Sequence, residues 1–180
     1  MAMSMPAKPW TLEDLQRLPD DGNKYEVVFG ELYVTPAPAE EHENILARLS
    51  ALLTPFVTAH DLGRVYHPRA VVRFDGSEAE PDLFVRSERV GQNSDWDDAP
   101  KPSLVVEVLS ASTRRRDLGE KRRFYLHAGV AEYWVVDPDE RTVRVVRSGV
   151  TDRVVHDELT WMPRPDATLD IAVPALFASR

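Results

Sequence analysis

Glu107 is the one charged residue in the run 103–109, which reads Ser-Leu-Val-Val-Glu-Val-Leu. A strand that is apolar on both faces is normally buried on both sides of a sheet. Burying an ionised carboxylate there without a partner is strongly unfavourable, so Glu107 should be paired with a cation, protonated or bound to a metal ion. Its partners are therefore the central question.

Asp82 is the second carboxylate of interest. It follows Pro81 at the start of a predicted strand and precedes Glu107 by 25 residues. That separation allows two neighbouring strands of one sheet, on which the two acids can share a divalent cation. A Pro-Asp pair taken alone is most often part of a turn, so the significance of Asp82 depends on Glu107.

Lys121 belongs to a predicted helix over 114–128. At about 100° per residue, Leu118, Tyr125 and Ala128 share one face, and Lys121 falls among them. One interpretation is a lysine whose long side chain reaches past the apolar face to water. The other is an ammonium group that returns to the two acids, pairs with them and polarises a water molecule.

Two more residues can complete such a site. Glu31 shares a strand face with Tyr33, and His42 lies on the inner side of the first turn of a predicted long helix. Either side chain can ligate a metal ion. A glutamate on an edge strand is usually solvated, however, and a histidine at a helix end is more often a cap or a core residue.

The composition limits the chemistry. The chain has 180 residues and no cysteine, which excludes disulfides, thiolate metal ligands and a cysteine nucleophile. Carboxylate and imidazole remain as ligands, and they favour hard cations such as Mg²⁺ (or Mn²⁺). We expect a single domain over 1–180, with 1–10 flexible. No apolar stretch approaches the roughly 20 residues of a membrane span, so we expect a cytoplasmic protein.

The charge distribution is uneven. The net charge is −8, which argues against indiscriminate coating of nucleic acid, because phosphate binding depends on positive charge. The segment 113–123 nevertheless has six cations and two anions. This segment is either a solvated helix face or a surface that contacts phosphates.

Hydrophobic periodicity and turn residues predict an α/β or α+β layer arrangement with one sheet. Helices are predicted at 11–18, from about 38–41 onward, and at 114–128. A surface insertion is predicted at 87–102. Strands are predicted at 25–28, 31–35, 64–74, 79–86, 103–109, 132–137 and 142–147, with weaker signals at 150–156 and 169–173.

These motifs together resemble the PD-(D/E)XK nuclease superfamily and, within it, the putative restriction endonuclease (Uma-two-like) family. The similar stretches are 25–32, the Glu-His pair at 41–42, 81–83, 107–110 with 114–121, and 129–137. The resemblance implies a restriction-endonuclease-like mixed β-sheet flanked by helices, with additional antiparallel hairpins. It also implies metal-dependent hydrolysis of DNA. The superfamily motif has a lysine two positions after the second acid, where this chain has Leu109, and Lys121 is the candidate for a migrated lysine.

The resemblance also implies roles for individual residues. Asp82, Glu107 and the carbonyl group of Val108 would hold Mg²⁺ (or Mn²⁺), and Lys121 would orient the nucleophile. Glu31 would act through water or a second ion, with His42 as a possible accessory ligand. Five arginines would bind DNA phosphates: Arg114, Arg115, Arg116, Arg122 and Arg123.

Two other interpretations remain open at this level. The fold can serve as a catalytically inactive binding or assembly module in which Lys121 forms a structural ion pair with the acids. Hydrolysis of a small molecule by two carboxylates is also conceivable, but it gives the basic helix and the lysine no role. Trp134, Val143 and Val145 either form a homodimer surface or belong to the core.

Overall fold

The computed structural model describes residues 8–87, 96 and 99–178. Its helices are α1 (Leu12–Leu15), α2 (Glu40–Ala59), α3 (Arg114–Arg116), α4 (Arg122–His127) and α5 (Val173–Leu176), and a π-helical turn (Asp117–Lys121) joins α3 to α4. Its strands are β1 (Lys24–Val28), β2 (Glu31–Thr35), β3 (Arg64–Tyr66), β4 (Val72–Phe74), β5 (Ser77–Ala79), β6 (Leu83–Arg86), β7 (Leu104–Val108), β8 (Tyr133–Asp137), β9 (Thr142–Val146), β10 (Arg153–Val155), β11 (Glu158–Arg164) and β12 (Ala167–Ala172).

The strands of the described residues form three sheets. The central sheet has six strands in the order β10-β9-β8-β7-β6-β3, and β7 pairs with β8 in parallel while the other neighbours are antiparallel. A four-stranded sheet has the order β2-β1-β5-β4, and β11 pairs with β12 as a two-stranded ribbon. The prediction of one sheet is therefore wrong, whereas the predicted mixed sheet flanked by helices is confirmed.

Both faces of the central sheet are covered. One face packs against α2 and the ribbon, through residues such as Val106, Leu49 and Trp161. The other packs against α4 and the four-stranded sheet, through residues such as Val105 and Phe124. Successive side chains of a strand point to opposite faces. β7 therefore contributes to both cores, as its apolar sequence predicts.

Two predicted strands are each interrupted. The stretch 64–74 divides into β3 and β4 around Pro68, and the stretch 79–86 divides into β5 and β6 around Pro81. Proline has no N–H group to donate to a neighbouring strand, so a strand commonly breaks there. The second break sends β5 to the four-stranded sheet and β6 to the central sheet. Asp82 consequently lies where the chain passes between the two sheets.

The predicted hairpins and helix starts agree well with the structure. The turn between β1 and β2 is Phe29-Gly30, with φ of 51° and 79°, as in the two-residue turns that suit the twist of a hairpin. Thr11 and Asp14 form a capping box at α1. The strand β11 is not among the predicted elements. Trp134, Val143 and Val145 are buried in the core, so they do not form an exposed dimer surface.

The helix after β7 covers residues 114–127 of the predicted segment 114–128, but it is not uniform. A π-helical turn over Asp117–Lys121 separates α3 from α4, and both Asp117 and Lys121 are buried. Such a turn widens the helix and changes which side chains face inward. The helix ends before Gly129, which has a φ of 80°.

The remaining predictions concern the ends and the insertion. Most of 1–10 and most of 87–102 lie outside the described residues. Within the described part, Trp10 donates its backbone N–H to the carbonyl of Gly30 at 2.8 Å. In that same part, no helix has both the length and the apolar character needed to cross a membrane.

Candidate active site

Asp82 and Glu107 lie side by side on adjacent strands. Leu83 pairs with Val106 in the antiparallel register of β6 and β7, so one further step places Asp82 opposite Glu107. The backbone N–H of Val108 donates to Oδ2 of Asp82 at 2.8 Å. Both carboxylates are almost completely buried, with 6% and 2% of each residue exposed. The structure thus brings the two predicted acids together.

Lys121 points inward and is completely buried. Its Nζ atom lies 2.6 Å from Oε1 of Glu107 and 2.7 Å from Oε1 of Glu26. The orientation predicted from the helical periodicity is therefore confirmed, and the alternative in which this lysine reaches water is wrong. Tyr125, one turn later on the same face, donates its hydroxyl to the same oxygen of Glu107 at 2.5 Å.

Glu26 and Lys24 are members of the cluster that the sequence analysis missed. Glu26 is fully buried and accepts the backbone N–H of Glu80 at 2.8 Å. Lys24 donates to Oδ1 of Asp82 at 3.2 Å and to the carbonyl of Glu80 at 3.0 Å. The sequence gives no signal for Glu26 like that of Glu107, because Lys24 and Glu26 are two of the five residues of β1, whereas Glu107 is the one charged residue of β7.

His42 also reaches the cluster, from the first turn of α2. Its Nε2 atom lies 3.0 Å from Oδ2 of Asp82. Asp82 therefore has Lys24 on one carboxylate oxygen and His42 with the Val108 N–H on the other. The predicted proximity of His42 to the acids is confirmed, and its role remains a prediction.

Glu31 lies elsewhere. It is exposed at the start of β2, where its carboxylate accepts the hydroxyl of Tyr33 at 2.7 Å. Its described contacts include neither Asp82 nor Glu107. Glu26 pairs with Tyr33 across the hairpin, so Glu26 and Glu31 lie on the same face of the sheet. Glu31 stands beside the Phe29-Gly30 turn and is exposed, whereas Glu26 lies further along the strand, within the cluster.

The comparisons with known proteins place this chain in a family. A family model described as "Uma2: Putative restriction endonuclease" matches residues 12–174. The chain belongs to the Uma2 family. A crystal structure of a putative nuclease belonging to DUF820 from Anabaena variabilis is similar over 94% of this chain and 98% of the other, with 22% identity and a TM-score of 0.78. That likeness shows a shared fold. No match was found among curated proteins.

In this Uma2 protein, Arg116 belongs to the buried cluster rather than to a basic surface. It is 8% exposed. Its guanidinium lies 3.5 Å from Oε2 of Glu26 and 3.6 Å from Oδ1 of Asp117, and it donates to the hydroxyl of Thr35 at 3.0 Å. Its predicted place on an exposed DNA-binding face is thus corrected, because the helix turns this side chain toward the acids.

The other four predicted arginines lie at or near the surface, but they differ in their partners. Arg114 forms a bidentate ion pair with Asp137, and Arg122 pairs with Asp152. Arg115 and Arg123 are exposed. The guanidinium of Arg123 lies 4.4 Å from the ring centroid of Phe29. Arg115 and Arg123 are therefore the two whose charges are not shared with a carboxylate among the described contacts.

The two adjacent acids have opposite pKa shifts. Burial raises the pKa of Glu107 to about 7, against the attraction of Lys121 and with some help from the charge of Asp82. Burial also acts to raise the pKa of Asp82, but Lys24 and His42 outweigh it and hold that pKa well below its ordinary value. Asp82 is thus the ionised member of the pair, and Glu107 takes up a proton near neutral pH.

Lys121 divides its charge between two carboxylates. Burial acts to raise the pKa of Glu26, but the charges of Lys121, Lys24 and Arg116 lower it overall. Burial acts to lower the pKa of Lys121, whereas Glu107 and Glu26 raise it overall. A single ammonium cannot neutralise two carboxylates, which explains why Glu26 is ionised while Glu107 binds its proton more tightly.

The donor set suits a hard cation that is held by few protein ligands. Within the described ranges, no group of three or more histidine, aspartate and glutamate side chains is arranged to hold a metal ion. Mg²⁺, however, is typically bound through one or two carboxylates together with waters and substrate phosphates. The hydrogen bonds to Glu107 both go to Oε1. The pair Asp82 and Glu107 therefore fits a two-carboxylate site.

Proposed function

We propose that this Uma2 protein is a metal-dependent endonuclease that hydrolyses phosphodiester bonds in DNA. The observation that carries the proposal is the juxtaposition of Asp82 and Glu107 on adjacent strands, with the ammonium of Lys121 at 2.6 Å from Glu107. The family model over 12–174 supports the same activity class.

In this proposal Asp82, Glu107 and the Val108 carbonyl hold Mg²⁺ or Mn²⁺. When bound, such an ion lowers the pKa of a water molecule and stabilises the charge that develops on the attacked phosphate. Asp82 already carries a full negative charge, and a carboxylate of lowered pKa is the form that binds a cation.

Lys121 is proposed to act through Glu107. It is completely buried and spans two carboxylates, so it does not reach a substrate directly. Together with the Tyr125 hydroxyl, its ammonium fixes Oε1 of Glu107 and so sets the direction of the other carboxylate oxygen. Lys121 would therefore orient the nucleophile indirectly, because it fixes the position of Glu107.

DNA is proposed to approach along the helix after β7. Arg115 and Arg123 are exposed and can neutralise phosphates, while Arg114 and Arg122 are half-exposed beside their aspartate partners. Because the chain as a whole is acidic, with a net charge of −8, binding should depend on this local surface and weaken with salt. A homodimer that cuts both strands stays a prediction.

The experiment that tests the function combines cleavage with metal binding. Purified protein is incubated with supercoiled plasmid and Mg²⁺ or Mn²⁺, and its melting temperature is measured against the concentration of each ion. We expect metal-dependent nicking or linearisation and a melting temperature that rises with metal, because a ligand that binds the folded state stabilises it. D82N is the matched variant and should lose both effects. Cleavage at the wild-type rate by D82N would remove Asp82 from the site.

A second candidate function is a binding or assembly module without turnover. The observation that favours it is that Asp82, Glu107 and Glu26 each already have a cationic partner among Lys24, Lys121 and Arg116. A satisfied set of ion pairs does not require a metal ion. In that case the melting temperature would not respond to Mg²⁺ or Mn²⁺, and no DNA would be cut under any metal condition.

A further inference from the structure

Two lysines contact the acidic cluster, and only Lys24 has access to solvent. Its side chain is 15% exposed, whereas that of Lys121 is 0% exposed. The neighbouring side chains of His42 and Asp82 are 14% and 9% exposed. The partly open side of the cluster is therefore formed by Lys24, Asp82 and His42, and the pair of Lys121 with Glu107 lies behind it.

The contacts of Lys24 leave its ammonium able to bind another group. An ammonium has three N–H donors, and the described partners of this one are Oδ1 of Asp82 at 3.2 Å and the carbonyl of Glu80 at 3.0 Å. The contact with Asp82 holds the ammonium beside a proposed metal ligand, and the contact with the Glu80 carbonyl orients the side chain.

Each carboxylate oxygen of Asp82 is in contact with a different side chain. Lys24 contacts Oδ1, and His42 contacts Oδ2. A cation bound by Asp82 would compete with both contacts and leave the ammonium free to turn toward an incoming anion. A phosphate would gain most from a positive charge at the open side of a mostly buried site, because water screens the interaction weakly there.

We propose that Lys24 is the catalytic residue that contacts the scissile phosphate, and that Lys121 is a positioning residue which holds Glu107. This proposal rests on the proposed nuclease function and assigns the substrate contact to a residue outside the superfamily motif. The substrate class is a phosphodiester, and the contact is a charge-assisted hydrogen bond from Nζ to a phosphate oxygen that is not in the ester linkage.

The test uses the small number of lysines in the chain, which are Lys8, Lys24, Lys101 and Lys121. Binding of a labelled DNA duplex is measured by fluorescence anisotropy in Ca²⁺, and cleavage is measured in Mg²⁺. We expect K24M to bind DNA about tenfold to a hundredfold more weakly, the range for loss of one charge-assisted hydrogen bond. The rise in melting temperature with Mn²⁺ should be retained. K8M, at an exposed site, is the matched control and should behave as the wild type.

The readouts separate a substrate contact from a structural role. If Lys24 served only to hold Asp82 in place, K24M would lose the Mn²⁺ response together with DNA binding, and that result would overturn the assignment. If K24M fails to fold, K24Q replaces K24M in every measurement. Its amide N–H groups are donors for Asp82 and for the Glu80 carbonyl. Wild-type binding and cleavage by K24M, or by K24Q where it stands in, would overturn the proposal.

Failure of the nuclease function is recognised independently. A wild-type chain that binds duplex DNA in Ca²⁺ but cuts nothing in Mg²⁺ or Mn²⁺ contradicts the nuclease activity. In that case weaker DNA binding by K24M still supports the phosphate contact, and equal binding overturns it. A wild-type chain that binds neither duplex DNA nor inorganic pyrophosphate overturns both proposals.

Discussion

The ammonium of Lys121 lies 2.6 Å from the carboxylate of Glu107, although the two residues are 14 positions apart and on different elements. In the superfamily motif a lysine stands two positions after this acid, where the chain has Leu109. Lys121 is the last residue of the π-helical turn that precedes α4, so this amine comes from the helix after β7. The structure therefore places an amine beside Glu107 from a different position in the sequence.

Replacing Glu107 by Gln tests the role of the second acid with little change in shape. The amide oxygen can still accept the hydrogen bonds of Lys121 and Tyr125, so we expect E107Q to fold. It should lose metal-dependent cleavage by at least about a hundredfold, since one charged metal ligand is removed. Plasmid cleavage and thermal unfolding measure the two effects. Full activity in a folded E107Q protein would exclude Glu107 from the site.

Replacing Lys121 by Met should destabilise the protein. The side chain is completely buried between Glu107 and Glu26, and its removal leaves two buried carboxylates without this partner. Breaking a buried ion pair from one side typically costs about 3 to 5 kcal/mol of the free energy of unfolding. Urea denaturation measures this quantity.

The double variant K121M/E26Q is the matched control for that destabilisation. It removes one of the two stranded carboxylates, so it should be more stable than K121M alone, and the coupling follows from a double-mutant cycle. Equal stability of the two variants would show that Glu26 does not depend on Lys121.

The sequence predicts the central part of this site because local periodicity determines it. Glu107 stands within an apolar strand, and Lys121 lies on the apolar face of its helix. Glu26 and Lys24 could not be placed in the same way. They belong to β1, and they lie near Asp82 because the chain passes from the four-stranded sheet to the central sheet at Pro81. No local sequence pattern determines this tertiary arrangement.

Arg116 illustrates a second limit of sequence patterns. A regular α-helix would place Arg116 and Lys121 about 140° apart, at about 100° per residue. The π-helical turn between them widens the helix, and both side chains face the buried acids. Because a π-turn has no strong sequence signal, the regular periodicity places this arginine at the surface.

The pKa of Glu107 predicts how stability depends on pH. This carboxyl has a pKa of about 7 in the folded protein against an ordinary value of 4.5, so protonation favours the folded state. The stabilisation of the folded state that comes from this proton is fully present below pH 4.5 and is lost as the pH rises through about 7. The free energy of unfolding of the wild type, minus that of E107Q, should fall over this interval and remain constant above it. Burial acts to lower the pKa of His42, but its contact with Asp82 raises it overall, and the subtraction removes the share of His42 in the pH dependence.

Chemical denaturation of both proteins at a series of pH values measures this difference. A difference that is independent of pH between 4.5 and 7 would show that Glu107 does not take up its proton in this range. A difference that grows with pH would show instead that Lys121 lowers the pKa of Glu107 in the folded protein, so that the ion pair outweighs burial.

The exposed arginines predict the salt dependence of DNA binding. Arg115 and Arg123 are exposed, so R115A/R123A should reduce the slope of log affinity against log salt by about 0.9 for each phosphate that is no longer neutralised. R116A should instead act mainly on stability, because Arg116 is buried beside Glu26. R164A is the surface control, since Arg164 lies on the ribbon that covers the opposite face of the central sheet. Fluorescence anisotropy across a salt series measures the slopes, and a slope unchanged by R115A/R123A would place DNA on another surface.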